Sequence, residues 1–232
     1  MSQEHFFHLA AAYVRGKLMR EPIGASHESL FASPLEALSD AELRQVIRIG
    51  LEQGLRLHRF KRTMDLPRVH KVLGTLRGLQ PASLLDIGSG RGAFLWPLLH
   101  HFPALPVTAS DILTYRVDDM QAVRDGGIAQ LTTVEADATA LLFDDRSFDV
   151  VTMLEVLEHI PDSQRALAEI CRVASRFVIL SMSSKEDNNP EHIHLFSEQK
   201  IRVLLQAHSV MRVNVDYVPG HMIVVASVSM TR

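Results

Sequence analysis

Leu84-Leu85-Asp86-Ile87-Gly88-Ser89-Gly90-Arg91-Gly92-Ala93-Phe94 decides the reading of this chain. An apolar run breaks into glycines and then reopens at helical spacing, so the stretch reads as strand, tight turn and helix. Glycine takes positive φ and carries no Cβ, and the helix that follows offers free N–H groups. Such a turn seats a small polar ligand. Gly88, Gly90 and Ala93 meet the Gly-x-Gly-x-x-Gly/Ala fingerprint of dinucleotide-binding turns, so the glycines alone leave the ligand open. Asp86 narrows it. A carboxylate two residues before the first glycine repels a pyrophosphate and suits an ammonium group.

Working outward, strands and helices alternate on the C-terminal side. A helix is expected from Ala93 to His101, a strand over Val107–Asp111, and a helix from Thr114 that stops at Gly126-Gly127. Further strands are expected at Leu131–Glu135, Ser147–Leu154 and Phe177–Ser181, with helices over Gln164–Val173 and Ser197–Gln206. Val213–Tyr217 and Met222–Val228 close the chain as a pair joined at Pro219-Gly220. The expected fold class is α/β, a doubly wound, mostly parallel seven-stranded sheet spanning residues 79–232.

Residues 1–78 read as an N-terminal helical extension. An amphipathic helix is expected over residues 3–20. Ser39-Asp40-Ala41-Glu42 has capping-box spacing and opens a second helix whose buried stripe is Leu43, Val46, Ile47, Leu51 and Leu55. A third, carrying Val69, Val72, Leu73 and Leu76, ends at Gly78. Between Arg56 and Lys71 lie Arg56, Arg59, Lys61, Arg62, Arg68 and Lys71 against Asp65 alone. That run is either a solvated helix face or a lid whose cations face an anionic substrate.

Composition sets limits. With 232 residues, 47% of them hydrophobic, the chain can bury one sizeable core. Its 24 Lys and Arg against 27 Asp and Glu give a net charge of -3, which argues against a general electrostatic affinity for nucleic acid or acidic membrane. One cysteine, Cys171, permits no intrachain disulfide. No segment is apolar enough to cross a bilayer and no basic leader precedes a long apolar run, so a soluble cytoplasmic protein without a membrane partner is expected. No oligomeric state is readable.

Four motifs in order, Leu85-Asp86-Ile87-Gly88-Ser89-Gly90, the acid Asp111, Asp137-Ala138, and Phe148-Asp149-Val150-Val151 leading to Leu157-Glu158-His159, resemble the class I S-adenosylmethionine-dependent methyltransferases. The resemblance runs from about Leu84 to the C-terminus. It implies a Rossmann-like fold and S-adenosyl-L-methionine as cofactor. In that reading Asp86 assists the ammonium group and Gly88 and Gly90 approach the methionine part, with Ser89 between them. Asp111, followed by Ile112, takes the ribose hydroxyls, Asp137 and Ala138 meet the adenine, and Leu154 and Glu155 complete the cofactor set. Asp111 stands roughly 20 residues beyond the glycines, where an open α/β sheet places its ribose-binding acid.

Glu155-Val156-Leu157-Glu158-His159 and Pro190-Glu191-His192-Ile193-His194-Leu195-Phe196 more weakly resemble segments of metal-dependent small-RNA 3′-terminal 2′-O-methyltransferases. That resemblance implies a divalent metal (Mg, Mn or Co) on Glu155, Glu158, His159 and His194, with His159 and His194 catalytic. If the first segment is helical, Glu155 and His159 stand one turn apart. The expected activity is methyl transfer from S-adenosylmethionine to a small-molecule acceptor. The alternatives are an RNA 2′-O-methyltransferase, a non-catalytic nucleotide-binding module, or an NAD-dependent enzyme on the same fold.

Overall fold

A computed structural model describes residues 6–19, 28–60, 66–185, 189–208 and 210–228. Seven strands form one sheet: β1 (Leu84–Ile87), β2 (Val107–Asp111), β3 (Leu131–Glu135), β4 (Phe148–Leu154), β5 (Ala174–Ser183), β6 (Val210–Val218) and β7 (His221–Val228). Their order is β3-β2-β1-β4-β5-β7-β6. β1 pairs in parallel with both β2 and β4, and the order reverses between them, which opens a crevice at their carboxyl ends. β7 runs antiparallel to both β5 and β6.

The central strands are buried on both faces, as their unbroken apolar runs require. Leu84, Val107, Ala109, Val150, Ile179 and Ile223 face one core, and Leu85, Ile87, Val151, Met153, Val178 and Leu180 face the other. The second core is closed by α7 (Ser163–Val173) and α8 (Glu198–Gln206). The first is closed by α4 (Pro67–Leu79), α5 (Leu95–His101) and α6 (Thr114–Asp125), and beyond them by α1 (Phe7–Leu18) and α3 (Asp40–Glu52).

The contact between α1 and α6 is unusually close. A Cβ placed on Gly16 would lie 1.9 Å from the carbonyl oxygen of Ala122, and one on Gly126 would lie 1.7 Å from that of Ala12. Tyr13 donates its hydroxyl to Asp119 Oδ1 at 3.1 Å, Lys17 Nζ lies 3.1 Å from the same oxygen, and Arg59 pairs with Oδ2. Phe60 lies against Tyr13 and Trp96, with ring centroids 5.3 and 5.0 Å apart, tying the chain after α3 to α5. Phe6, Leu9, Tyr13 and Val14 thus share one core with Leu95, Trp96, Met120 and Val123.

Differences from the sequence reading are local. The capping box on α3 forms, with Ser39 Oγ accepting from Glu42 N–H and Glu42 Oε2 accepting from Ser39 N–H, but Leu51 faces solvent instead of joining the buried stripe. α5 begins at Leu95, because Ala93 still belongs to the turn. A short helix not expected from sequence, α2 (Glu28–Ala32), fills part of the polar stretch. Residues 61–65, with Lys61, Arg62 and Asp65 of the basic run, lie outside the described residues, as do residues 1–5 and 20–27. Segment 155–159 is not an α-helix: Glu155 takes φ +57° and a 3-10 turn follows over Leu157–His159, so Glu155 and His159 are not stacked one turn apart.

Candidate functional site

A cleft of about 850 Å³ lies at the carboxyl ends of β1, β2 and β4. Asp86 forms its floor and is 2% exposed. The hydroxyl of Ser89 donates to its Oδ2 at 2.7 Å and that of Thr152 to its Oδ1 at 2.7 Å. Burial dominates over these two hydrogen bonds and, with a smaller push from Asp111, raises the Asp86 carboxyl to about 6.

The glycine turn lies directly above. Gly88 takes φ +69°, and a Cβ there would meet Val156 at 2.5 Å. Gly90 takes φ +57°, and a Cβ there would sit in ordinary contact with Arg116 Nη1 at 3.6 Å and the Gly88 carbonyl oxygen at 3.7 Å. One glycine is therefore required by packing, and the other by its backbone conformation at the lining of the cleft. At the end of β2, Asp111 accepts from Gly90 N–H at 2.9 Å and Leu113 N–H at 3.0 Å, with Arg116 Nη1 3.3 Å away. Oδ2 accepts from Gly90 and Arg116 and Oδ1 from Leu113 alone, which leaves a lone pair on Oδ1 for a hydroxyl donor. Asp137 binds the N–H and hydroxyl of Thr139 through Oδ1 alone, both at 2.8 Å, and these two bonds hold its carboxyl below the usual range. Its second oxygen is left for a donor in the cleft.

Asp86, Gly88, Ser89, Gly90, Asp111, Ile112, Asp137, Ala138, Leu154, Glu155 and His159 all line this cleft. Ile112, 61% exposed, stands with Ala138 among the apolar lining between the two outer carboxylates. At the far end Glu155 Oε1 accepts from Ser181 Oγ at 2.6 Å, Oε2 lies 3.1 Å from His221 Nε2, and Arg68 Nε approaches to 3.9 Å. His159 Nδ1 lies 2.9 Å from the carbonyl of Glu191, which can only accept. In the neutral ring the proton sits on Nδ1, and Nε2 keeps its lone pair.

The four residues expected to hold a metal are not brought together. Among the described residues no group of three His, Cys, Asp or Glu side chains is placed to bind an ion. Glu155 is committed to Ser181 and His221, and His194 Nε2 donates to the carbonyl of Pro161 at 3.2 Å, away from the cleft lining. Glu158 is 1% exposed, and neither carboxylate oxygen has a hydrogen-bond partner among the described residues. Burial, with the charge of Glu155 adding to it, raises its carboxyl and favours the neutral acid. Its backbone carbonyl instead pins the later loop, accepting from Ile193 N–H at 3.0 Å and His194 N–H at 3.2 Å. The metal-site expectation is corrected on this geometry.

Comparison with known proteins now bears on the cleft. The profile of the methyltransferase domain family matches residues 85–179. A ubiquinone/menaquinone biosynthesis C-methyltransferase of Bradyrhizobium diazoefficiens is 35% identical over 120 residues, covering 47% of this chain and 46% of that protein. A malonyl-[acyl-carrier protein] O-methyltransferase of Geobacter sulfurreducens is 27% identical over 154 residues, covering 66% and 53%. The chain thus spans about half the length of these curated relatives. Among solved structures, magnesium protoporphyrin IX methyltransferase from Synechocystis with bound S-adenosylmethionine superposes with TM-score 0.56 at 21% identity, over 95% of this chain and 97% of that one. The fold is that of the class I methyltransferases.

Sequence reasoning missed the residues that surround Glu155 and Asp86 from other elements. Thr152 had a signal, being the one hydroxyl in the apolar run Val150-Val151-Thr152-Met153. Ser181 and His221 had none, since their contact with Glu155 depends on the antiparallel pairing of β5 with β7.

Proposed function

We propose that the chain binds S-adenosylmethionine in this cleft and transfers its methyl group to a small-molecule acceptor entering at the Glu155 end. The observation that carries the reading is the buried Asp86 beside a glycine turn that lines the cleft, with Asp111 at the next strand end. A desolvated carboxylate without a cation is incomplete, and an ammonium group completes it where a diphosphate would be repelled. Asp111 offers an acceptor position on Oδ1 to a hydroxyl, and Asp137 with Ile112 and Ala138 offers a slot with one polar edge to a base. These residues fit the cofactor.

When bound, the cofactor supplies an electrophilic methyl carried on a sulfonium. The chain's part is to hold the two reactants in line and exclude water. His159 lines the cleft, its Nδ1 is held by the Glu191 carbonyl, and Nε2 is the group that takes the acceptor's proton. His194 has no such access and steadies its loop through Pro161. Glu155, fixed by Ser181, His221 and Arg68, shapes the acceptor end.

A small acceptor suits a cleft of this volume, which lies in the range of small-molecule sites. The similar quinone-biosynthesis C-methyltransferase and magnesium protoporphyrin IX methyltransferase favour the same reading, while the similar O-methyltransferase is named for a malonyl-[acyl-carrier protein]. No helix among the described residues is long and apolar enough to cross a membrane. Cys171 is free and buried, and desolvation pushes its thiol up to about 12, so it takes no part as a nucleophile.

Titration calorimetry with S-adenosylhomocysteine and with NAD tests the proposal. Binding of the first and not the second is expected. Tight NAD binding without response to S-adenosylhomocysteine would overturn it.

A further inference from the structure

β6 is an edge strand, and its free side has an organisation of its own. Its sequence is Val210-Met211-Arg212-Val213-Asn214-Val215-Asp216-Tyr217-Val218. The carbonyl of Val213 accepts from Arg202 Nη1 of α8 at 2.6 Å, and the N–H of Tyr217 meets Asp216 Oδ1 at 2.8 Å. Residues 213 and 217 therefore turn their backbone groups away from β7, and the two-residue period of the ladder places Val215 with them. Val213 and Val215 pack toward α8, and Tyr217 donates to Glu198 on that face. Asp216 pairs with Lys71 of α4 on the opposite face.

Reversed about Asn214, the strand is complementary to itself. Arg212 comes opposite Asp216 and Val213 opposite Val215, each twice, with Asn214 on the axis. Met211 and Tyr217, 72% and 54% exposed, also meet. We propose that β6 pairs antiparallel with β6 of a second copy of this chain, about a two-fold axis at Asn214, to give one continuous sheet across a homodimer. An isologous contact requires this property, that each residue find its complement on the same patch of the partner.

The backbone agrees with the pairing. Val213 and Val215 both point their N–H and C=O groups outward, so they form hydrogen-bonded pairs across the axis, while Arg212 with Asp216 and Asn214 with Asn214 form the intervening non-hydrogen-bonded pairs. In those pairs side chains stand closest, and opposite charges there stabilise. Arg212 has no ion pair among the described residues, so its charge is available. Arg202 occupies one lone pair of the Val213 carbonyl and leaves the second for the partner's N–H. A strand guarding its edge needs charge alone; it has no need of opposite charges placed symmetrically about its centre.

Sedimentation of the full chain at concentrations up to about 100 μM tests the proposal, with circular dichroism confirming that each variant is folded. The wild type is expected to dimerise. Arg212→Glu sets like charges opposite at two places and is expected to weaken the dimer on the order of tenfold. The double variant Arg212→Glu with Asp216→Arg is expected to return affinity to within about threefold of wild type. Val215→Pro removes an outward N–H without touching the ladder to β7, and is expected to give monomer. A monomeric wild type at the highest concentration, a dimer indifferent to Arg212→Glu and Val215→Pro, or failure of the double variant to restore association would each overturn the inference.

Discussion

Replacing Asp86 by Asn tests the cofactor reading and the energetics of the empty cleft at once. Burial holds the folded carboxyl at about 6 against a free value of 3.8. That difference of about 2 units corresponds to roughly 3 kcal/mol. The sign follows from the raised value. Below pH about 4 both folded and unfolded chains hold the proton, and burial of the neutral acid costs little. As pH rises toward 6 the unfolded chain releases its proton first, so stability falls, and above 6 the folded protein carries the whole penalty. Asn stays neutral throughout. It keeps an acceptor for one of the Ser89 and Thr152 hydroxyls and weakens the other bond, at about 1 kcal/mol. Without ligand, Asp86→Asn is therefore expected to exceed wild type by about 2 kcal/mol at pH 8, a rise in melting temperature of roughly 4–8 °C, with the gap closing toward pH 4. The ligand reverses the order. An ammonium that loses its charged partner loses roughly 1.5–3 kcal/mol, about ten- to a hundredfold in affinity for S-adenosylhomocysteine by calorimetry. Wild-type binding near pH 6 should also release protons, seen as an enthalpy that changes with buffer. A variant that melts at or below wild type at pH 8, or binds the cofactor product as tightly, would refute the reasoning.

Three further outcomes are expected. Gly90→Val puts a β-branched residue at φ +57° in the lining of the cleft, so calorimetry should show no cofactor binding, while strain of about 1–2 kcal/mol lowers the melting temperature without unfolding the chain. Gly16→Val drives a side chain into the Ala122 carbonyl, and a denaturant melt should show a loss of about 3 kcal/mol or more; deletion of residues 1–38 should likewise yield insoluble protein, since it strips the cover from α6. Chelator and His194→Ala should each leave methyl transfer unchanged, because Glu155 and His194 already have other partners; activity that chelation abolishes and Mg, Mn or Co restores would overturn this.

The parts of the fold set by local pattern were legible in the sequence. β2 and β3 match their expected bounds, and the α3 capping box forms, because hydrophobic period and capping chemistry act within a few residues. The placement of Asp86, Asp111 and Asp137 at or just past the ends of β1, β2 and β3 was legible for the same reason. Glu155 exposes the limit. Nothing in Leu154-Glu155-Val156 announces a positive φ, which follows from the Ser181 and His221 contacts and from the backbone bond of Glu155 N–H to the Ser181 carbonyl at 2.9 Å. Among the described residues the expected metal ligands are not gathered, since Glu155 turns to Ser181 and His221 and His194 to Pro161. The basic run divided likewise: Arg59 is consumed by Asp119 and Lys71 by Asp216, and among its described residues only Arg68 reaches the cleft.

The two ends of the cleft are built differently, and this bears on what each can specify. The end proposed for the cofactor comes from consecutive strand–turn–helix units between Asp86 and Ala138, all inside the stretch that matches the methyltransferase family. The end proposed for the acceptor centres on Glu155, whose partners Arg68, Ser181 and His221 lie outside that stretch, on α4, the end of β5 and the start of β7. The pair Lys71–Asp216 joins α4 to β6 a few residues from two of them, so these elements are held as one wall. A common cofactor needs the first end kept, while a different acceptor needs only the second end changed. Substitution of Arg68 by Ala should accordingly alter which acceptor is methylated, or its KM, and leave the affinity for S-adenosylhomocysteine within about threefold, since no part of its contact with Glu155 touches Asp86 or Asp111.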